Sequence, residues 1–312
     1  MLTGKSFRTK KDDELINFNS SYAKVNIYYL KKDRNGNIRA EIGEKKNFFV
    51  NEVKQSKISD IVGKINVVTF TPDDIDIIKD GPSRRRKFLD MLICSLKPNY
   101  INLLNKYNKI LDERNNYLKQ IKKEKKDIKL LDIWDEQLSE TAIKIYEYRK
   151  IYTEKIKEKI NVFHKMVTKS GKEELKIKYI SNCKDKESCL ENLKKSRQID
   201  IQRGFTAIGV HRDELIFYIN DRPANIYGSQ GQQRSTVLSL KLCELDIIKE
   251  EIGEEPILLL DDFMSELDNE RRTSLLENIE TCQVIITCTD KFDFLKEEKN
   301  IFYVENGFCK QE

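Results

Sequence analysis

An α/β protein with an antiparallel β-meander at its front and a helical lobe inserted in its middle is what this sequence predicts. Three observations carry that reading. The apolar run Ile257-Leu258-Leu259-Leu260 leads straight into Asp261-Asp262, the pattern of a buried strand that delivers carboxylates to the carboxyl edge of a sheet. Residues 22–50 alternate polar and apolar with the period of two that a half-buried strand requires. Between Tyr100 and Phe163 the apolar residues recur instead at helical spacing.

In order along the chain, Tyr22–Tyr29 and Ile38–Ile42 read as strands flanking Asn35-Gly36, a dipeptide that predicts the hairpin turn between them. Ile65–Phe70 is a further strand, closed by Thr71-Pro72. After Gly81-Pro82, Tyr100, Leu103, Leu104, Tyr107, Leu111, Leu118 and Ile121 mark one long helix. Trp134, Leu138, Ala142, Ile145, Tyr152, Ile156, Ile160 and Phe163 mark a second, antiparallel to the first. The lysine-rich stretch 119–129 between them forms a tip, read either as a solvated turn or as a contact of Lys122 and Lys123 with nucleic-acid phosphates. Strand character returns at Leu175–Ile180 and, after a charged helix, at Phe205–Ile219. A small polar loop, Ser229–Gln232, then precedes a long helix; the Ile257–Leu260 strand, a helix after Asp268 and the strand Gln283–Cys288 complete the order. Three parts result: a β-rich segment 1–81, a helical lobe 82–200, and an α/β segment 201–312 that folds with the first.

Composition bounds the function without naming it. With 39% hydrophobic and 35% charged residues, the 312-residue chain reads as a highly charged protein with long exposed helices. Its net charge of +5, from 57 basic and 52 acidic residues, permits a nucleic-acid partner and does not demand one. Seven scattered cysteines and two histidines argue against a zinc site and for reduced, mostly buried thiols. No apolar run approaches membrane-spanning length, so no membrane contact and a cytoplasmic location are expected.

The chemistry lies in the last third. A Gly-containing loop at a helix start presents backbone N–H groups where an anion is favoured. About thirty residues on, Asp261 is placed to hold Mg²⁺ and Asp262 to orient or deprotonate a water. The bland alternative is a strand end whose aspartates cap the next turn, but Ser265-Glu266-Leu267-Asp268 downstream favours the nucleotide chemistry.

These motifs resemble those of the RecF family, bacterial recombination-repair ATPases of the ABC type related to SMC head domains. The carrying residues are Ser229-Gln230-Gly231-Gln232-Gln233-Arg234, Leu258–Asp262 and Ser265–Asp268. Support comes from Gly209–Asp213, Phe70–Asp74, Pro82–Asp90 and Gly4–Thr9. The resemblance implies an ABC-ATPase-like head in which Ser229, Gly231, Gln232 and Gln233 meet the γ-phosphate of ATP held by a second protomer. It implies that Asp261 is the Walker B metal residue and that Asp262 stands where many relatives carry a glutamate. Ser265 and Asp268 match the D-loop, and Thr287 or Thr289 the switch region. It further implies ATP and Mg²⁺ as cofactors, an ATP-dependent homodimer, and double-stranded DNA bound at junctions with single-stranded gaps. RecO- and RecR-like partners in recombinase loading follow from the same source. Arg84, Arg85 and Arg86 read as a helix's solvated face or as a DNA or interdomain contact, and His211 and Arg212 as nucleotide contacts or packing residues.

Two departures stand out. Val210 replaces a usual proline, with little chemical consequence. The family's Walker A loop is absent: Gly4-Lys5-Ser6 lacks the preceding strand and glycine, and Met1 reads as an internal methionine of a longer protein. The expected consequences are weak or absent ATP binding in cis and apolar surface left exposed near Ile257–Leu260. The competing function is a non-hydrolysing DNA-binding or scaffolding remnant of the same fold. A chromosome-structuring SMC-like head is disfavoured, because the helical hairpin is too short for a long heptad arm.

Overall fold

The computed structural model describes residues 11–31, 34–169, 171–262, 267–277, 279, 281–289 and 300–311. In chain order its elements begin with β1 (Ala23–Lys31), β2 (Arg34–Ile42), β3 (Asn47–Val50), β4 (Val53–Gln55) and β5 (Val67–Phe70). A short α1 (Asp76–Lys79) leads to the helices α2 (Pro82–Leu96), α3 (Asn99–Glu124) and α4 (Leu131–Thr168). Then come β6 (Leu175–Ile180), α5 (Lys186–Arg203), β7 (Glu214–Ile219), β8 (Arg222–Pro223), α6 (Ala224–Tyr227) and α7 (Gln230–Ile252). The chain closes with β9 (Ile257–Asp261), α8 (Asn269–Glu277), β10 (Val284–Thr287), β11 (Phe302–Glu305) and β12 (Phe308–Gln311).

β1 to β4 form the expected antiparallel meander, but its first turn is not at Asn35-Gly36. Lys31 pairs with Arg34, and Gly36 lies inside β2 opposite Tyr29. The observed register sets Ile27 against Ile38 and Val25 against Ala40. A turn at Asn35-Gly36 would set Ile27 against Glu44 and Val25 against Lys46. Apolar cross-strand pairing therefore outweighs the local turn preference. The glycine serves a different purpose: a Cβ there would sit 2.4 Å from the Tyr29 ring, which covers it.

β9 is the middle strand of a parallel sheet ordered β10-β9-β5. Val68, Phe70, Leu258 and Leu260 on one face are fully buried and share a core with the buried α7 residues Leu238, Leu240, Leu242 and Ile248. The other face is less covered. Ile285, paired with Leu259, is 51% exposed.

The expected pair of long helices is α3 and α4. Its core-facing side is apolar, yet it is pinned by charges. Arg114, fully buried, donates from Nε to Asp135 at 2.7 Å and from Nη1 to Asp200 and Thr206, each at 2.8 Å. Arg149 grips Asp90 with two bonds of 2.9 Å and reaches Asp213 at 2.9 Å. Each arginine fork joins groups far apart in sequence, and such pairs hold a buried geometry only when their partners are all in place.

The thiol expectation needs correcting. Cys183 and Cys189 are joined by a disulfide whose Cα atoms lie 4.6 Å apart, because the turn before α5 folds the two residues together. Cys288 and Cys309 are exposed rather than buried. Among the described residues no helix is long and apolar enough to cross a membrane.

Candidate nucleotide site and its surroundings

The loop before α7 folds as its sequence dictates. Ser229 is the N-cap: its Oγ accepts from Gln232 N at 3.2 Å, and Gln232 Oε1 accepts from Ser229 N at 2.9 Å. This reciprocal box anchors the first turn. The N–H groups of Gln230 and Gly231 have no hydrogen-bond partner among the described residues, so the helix start offers two donors to an anion. Gln232 is tied within its own chain, donating to Glu173 at 2.8 Å. Gln233 departs from the expected role. Its side chain is buried and donates to the Ala224 carbonyl at 3.1 Å, because the helical period turns position 233 toward the core.

At the carboxyl end of β9 the side chain of Asp261 is exposed, as a strand-end carboxylate should be. Thr287, at the end of the adjacent β10, donates from Oγ1 to Asp261 Oδ1 at 2.6 Å. The same hydroxyl accepts from Asp262 N at 3.1 Å, and Asp262 N also meets the Thr287 carbonyl at 3.2 Å. Asp262 adopts φ 50°, an αL conformation that turns the chain sharply out of the strand. Thr287 thus orients one carboxylate oxygen of Asp261, and the other has no hydrogen-bond partner among the described residues, a donor set that fits a largely hydrated Mg²⁺. Thr289 is exposed two residues further on.

Ser265 lies outside the described residues, as does Gly4-Lys5-Ser6. Asp268 caps α8, accepting from Arg271 N at 2.9 Å, and its carboxylate pairs with the Arg271 guanidinium. The same guanidinium reaches Ser235 Oγ at 2.9 Å and the Gly231 carbonyl at 3.3 Å. Arg271 therefore couples the Asp268 end of α8 to the first turns of α7. Sequence reading missed it, although an Asp with an Arg three residues later at a helix start was visible. Lys241, buried in α7, was missed too. It pairs with Glu244 at 2.9 Å and approaches Asp74 at 3.8 Å, fixing the turn after β5 to the helix.

The arginine triplet separates into three fates. Arg84 is exposed and lies near Asp76 and Asp80. Arg85 is 5% exposed, grips Glu214 at 2.8 Å and 3.2 Å, and donates to the Asp80 carbonyl at 2.6 Å. Burial removes it from any surface that DNA reaches, which corrects that expectation. Arg86 is half-buried and donates to the Asp213 carbonyl at 2.7 Å. At the helical tip, Lys122 is exposed and donates to the Gln202 carbonyl at 2.7 Å; Lys123 is exposed beside it.

His211 packs rather than reaching outward. Its Nε2 donates to the Thr206 carbonyl at 3.0 Å, which leaves Nδ1 to accept from Tyr107 OH at 2.7 Å. Burial holds its pKa down at about 4, so the ring is neutral near pH 7. The Asp213 carboxyl is shifted up by burial, against the pull of Arg149.

Comparison with known proteins resolves the family. The chain is 41% identical over 318 residues to the DNA replication and repair protein RecF of Alkaliphilus oremlandii, spanning 97% of this chain and 86% of the relative. It is 42% identical to the RecF of Clostridium botulinum, over 99% of this chain and 86% of that protein. The chain belongs to the RecF family. No family model matches it. The solved structure of the recombination mediator protein RecF with ATP in the RecFOR pathway superposes with a TM-score of 0.91 at 37% identity, covering 100% of this chain and 86% of that one. An Smc head domain from Pyrococcus yayanosii shares the fold at a TM-score of 0.54 and 12% identity. The RecF-type architecture is thus an ABC-ATPase head, with the long helical hairpin and the antiparallel meander attached to its α/β part.

Proposed function

We propose that this chain is the nucleotide-responsive head of a recombination mediator in DNA repair. In this reading Asp261 holds Mg²⁺ and Asp262 positions the attacking water. Ser229, Gly231 and Gln232 close on the γ-phosphate of ATP held by a second protomer. The bound nucleotide and metal supply the phosphoryl-transfer chemistry; the chain's own residues position it and set the geometry of the dimer. The observation that carries the reading is the Asp261–Thr287–Asp262 hydrogen-bonded edge in one chain with a helix start whose first two N–H groups are open. Gln233 is left out of the phosphate contacts, and Arg85 out of the DNA contacts. Arg84, Lys122 and Lys123 remain the exposed basic residues for DNA at a gap junction, with RecO- and RecR-like proteins as partners in the cytoplasm. The boundaries 1–81, 82–200 and 201–312 are proposed as the two parts of the ATPase lobe with the helical lobe between them.

Sedimentation of the chain with ATP and Mg²⁺, with and without gapped DNA, tests this. We expect nucleotide-dependent association with a second, nucleotide-loaded RecF protomer. That association should be lost in Ser229→Arg. Absence of any nucleotide-dependent association would favour the scaffolding remnant.

A further inference from the structure

A concave groove of about 540 Å³ lies between α4 and the edge of the β6-β7-β8 sheet, away from the nucleotide residues. Tyr146, Lys150 and Thr153 of α4 line one side, and Ile177, Lys178 and Tyr179 of β6 the other. β6 is the edge strand of its sheet, and its free side faces this groove.

Hydrogen-bonded and non-bonded pairs alternate along an antiparallel ladder. Asn220 N donates to the Glu174 carbonyl, so residues 174, 176 and 178 bond toward β7. The odd positions turn their N–H and C=O groups to the free edge. Leu175 shows this directly, since its N–H is taken by Asn161 of α4 at 3.0 Å. Ile177 and Tyr179 have no such partner among the described residues, so a donor–acceptor row opens into the groove.

The charge around that row is one-sided. Glu154 is matched by Lys157 at 3.0 Å and Asp221 by Lys176 at 3.0 Å. Lys150, Lys178 and Lys184 line the groove without an ion pair among the described residues. A further polar group is left unsatisfied at the floor. Thr153 is 2% exposed and its Oγ1 has no hydrogen-bond partner. Thr141 and Thr168 on the same helix instead donate back to Gln137 and His164.

We propose that this groove binds an extended acidic peptide segment of a partner protein, which adds to β6 as a further strand. An extended peptide presents both acceptors and donors and so satisfies the N–H and the C=O groups of Ile177 and Tyr179. A phosphate backbone offers acceptors only and would face those two carbonyls unsatisfied. Carboxylates on the added strand meet Lys150, Lys178 and Lys184, which supplies the charge complementarity. The rings of Tyr146 and Tyr179 stack with centroids 5.9 Å apart and tie the two sides of the groove together at one place. This inference stands independently of the nucleotide reading above.

The test uses the full chain and a fluorescein-labelled peptide of about ten residues alternating Glu and Val, followed by anisotropy. Saturable binding is expected, weakened about tenfold or more in the triple variant Lys150→Glu, Lys178→Glu, Lys184→Glu. The same peptide N-methylated at alternate backbone nitrogens keeps its charge and should lose binding by a similar factor. That comparison uses the unaltered protein, so it holds even if the variant folds poorly. A single-stranded oligothymidylate of comparable charge should not displace the peptide. Displacement by the oligonucleotide, equal binding of the N-methylated peptide, equal binding by the folded triple variant, or no saturable binding would each overturn the proposal.

Discussion

The helical lobe and the carboxyl edge of the parallel sheet handle charge in opposite ways. In the lobe and at its border with the α/β segment, Arg114 and Arg149 are buried with Asp135, Asp200 and Asp213, and every pair joins separate elements. At the sheet edge, Asp261 and Asp262 stand exposed, and the Thr287 hydroxyl bonds the carboxylate of the first and the backbone N–H of the second. Buried charges need their partners, so the lobe's ionic network sets its geometry and makes single losses costly. Exposed carboxylates cost little to hold. The contrast separates residues that shape the molecule from those to which the proposed function gives a ligand.

The largest expected effect breaks the lobe. Arg114→Met should lower unfolding free energy by about 3–5 kcal/mol, read from the urea midpoint, because it leaves buried Asp200 without its cation and Asp135 with Arg197 alone. If stability stays within 1 kcal/mol of the parent, by the usual range for surface changes, the network is dispensable.

Acid offers a second lever. His211 has its folded pKa depressed from 6.5 to about 4, so its contribution is present above pH 6.5 and lost as pH falls through 4. His164, buried against Ser239, is shifted the same way by burial. For His211 stability should fall by at most about 1.4 kcal/mol per pH unit over that window. His211→Gln should flatten the profile in pH-dependent denaturant melts, and an unchanged slope would refute the assignment.

Ser229→Ala removes the N-cap of α7 and should cost about 1 kcal/mol. Hydrogen exchange at Gln232 N should rise with it, since that amide loses its acceptor. The smallest effect sharpens the comparison within one triplet. Arg84→Ala should change stability by less than about 0.5 kcal/mol, whereas Arg85→Ala should cost about 3 kcal/mol by leaving Glu214 partly buried and unpaired. Equal effects would erase the distinction between surface and buried arginines.

Periodicity made the long hairpin and the β9 strand legible, because each depends on a pattern contained in one segment. The loop before α7 was legible for the same reason, whereas its Ser229 capping box emerged only in the structure. The first hairpin turn was misplaced because Asn35-Gly36 is a local signal, while register is set by apolar pairs along the whole length of β1 and β2. Arg85 looked like its neighbours in sequence. Only its meeting with Glu214, 129 residues away, shows it to be structural.

The sequence by itself determined the segments and the residue types on offer at Ser229, Asp261 and Asp262, since these rest on local spacing and composition. Tertiary structure alone decided which polar groups are spent on folding and which are left open. It brought Thr287 to Asp261, Arg271 to Ser235, and the free edge of β6 to the lysines of α4. Those meetings join residues distant in the chain, and no local pattern encodes which partner a side chain will find once the core has closed.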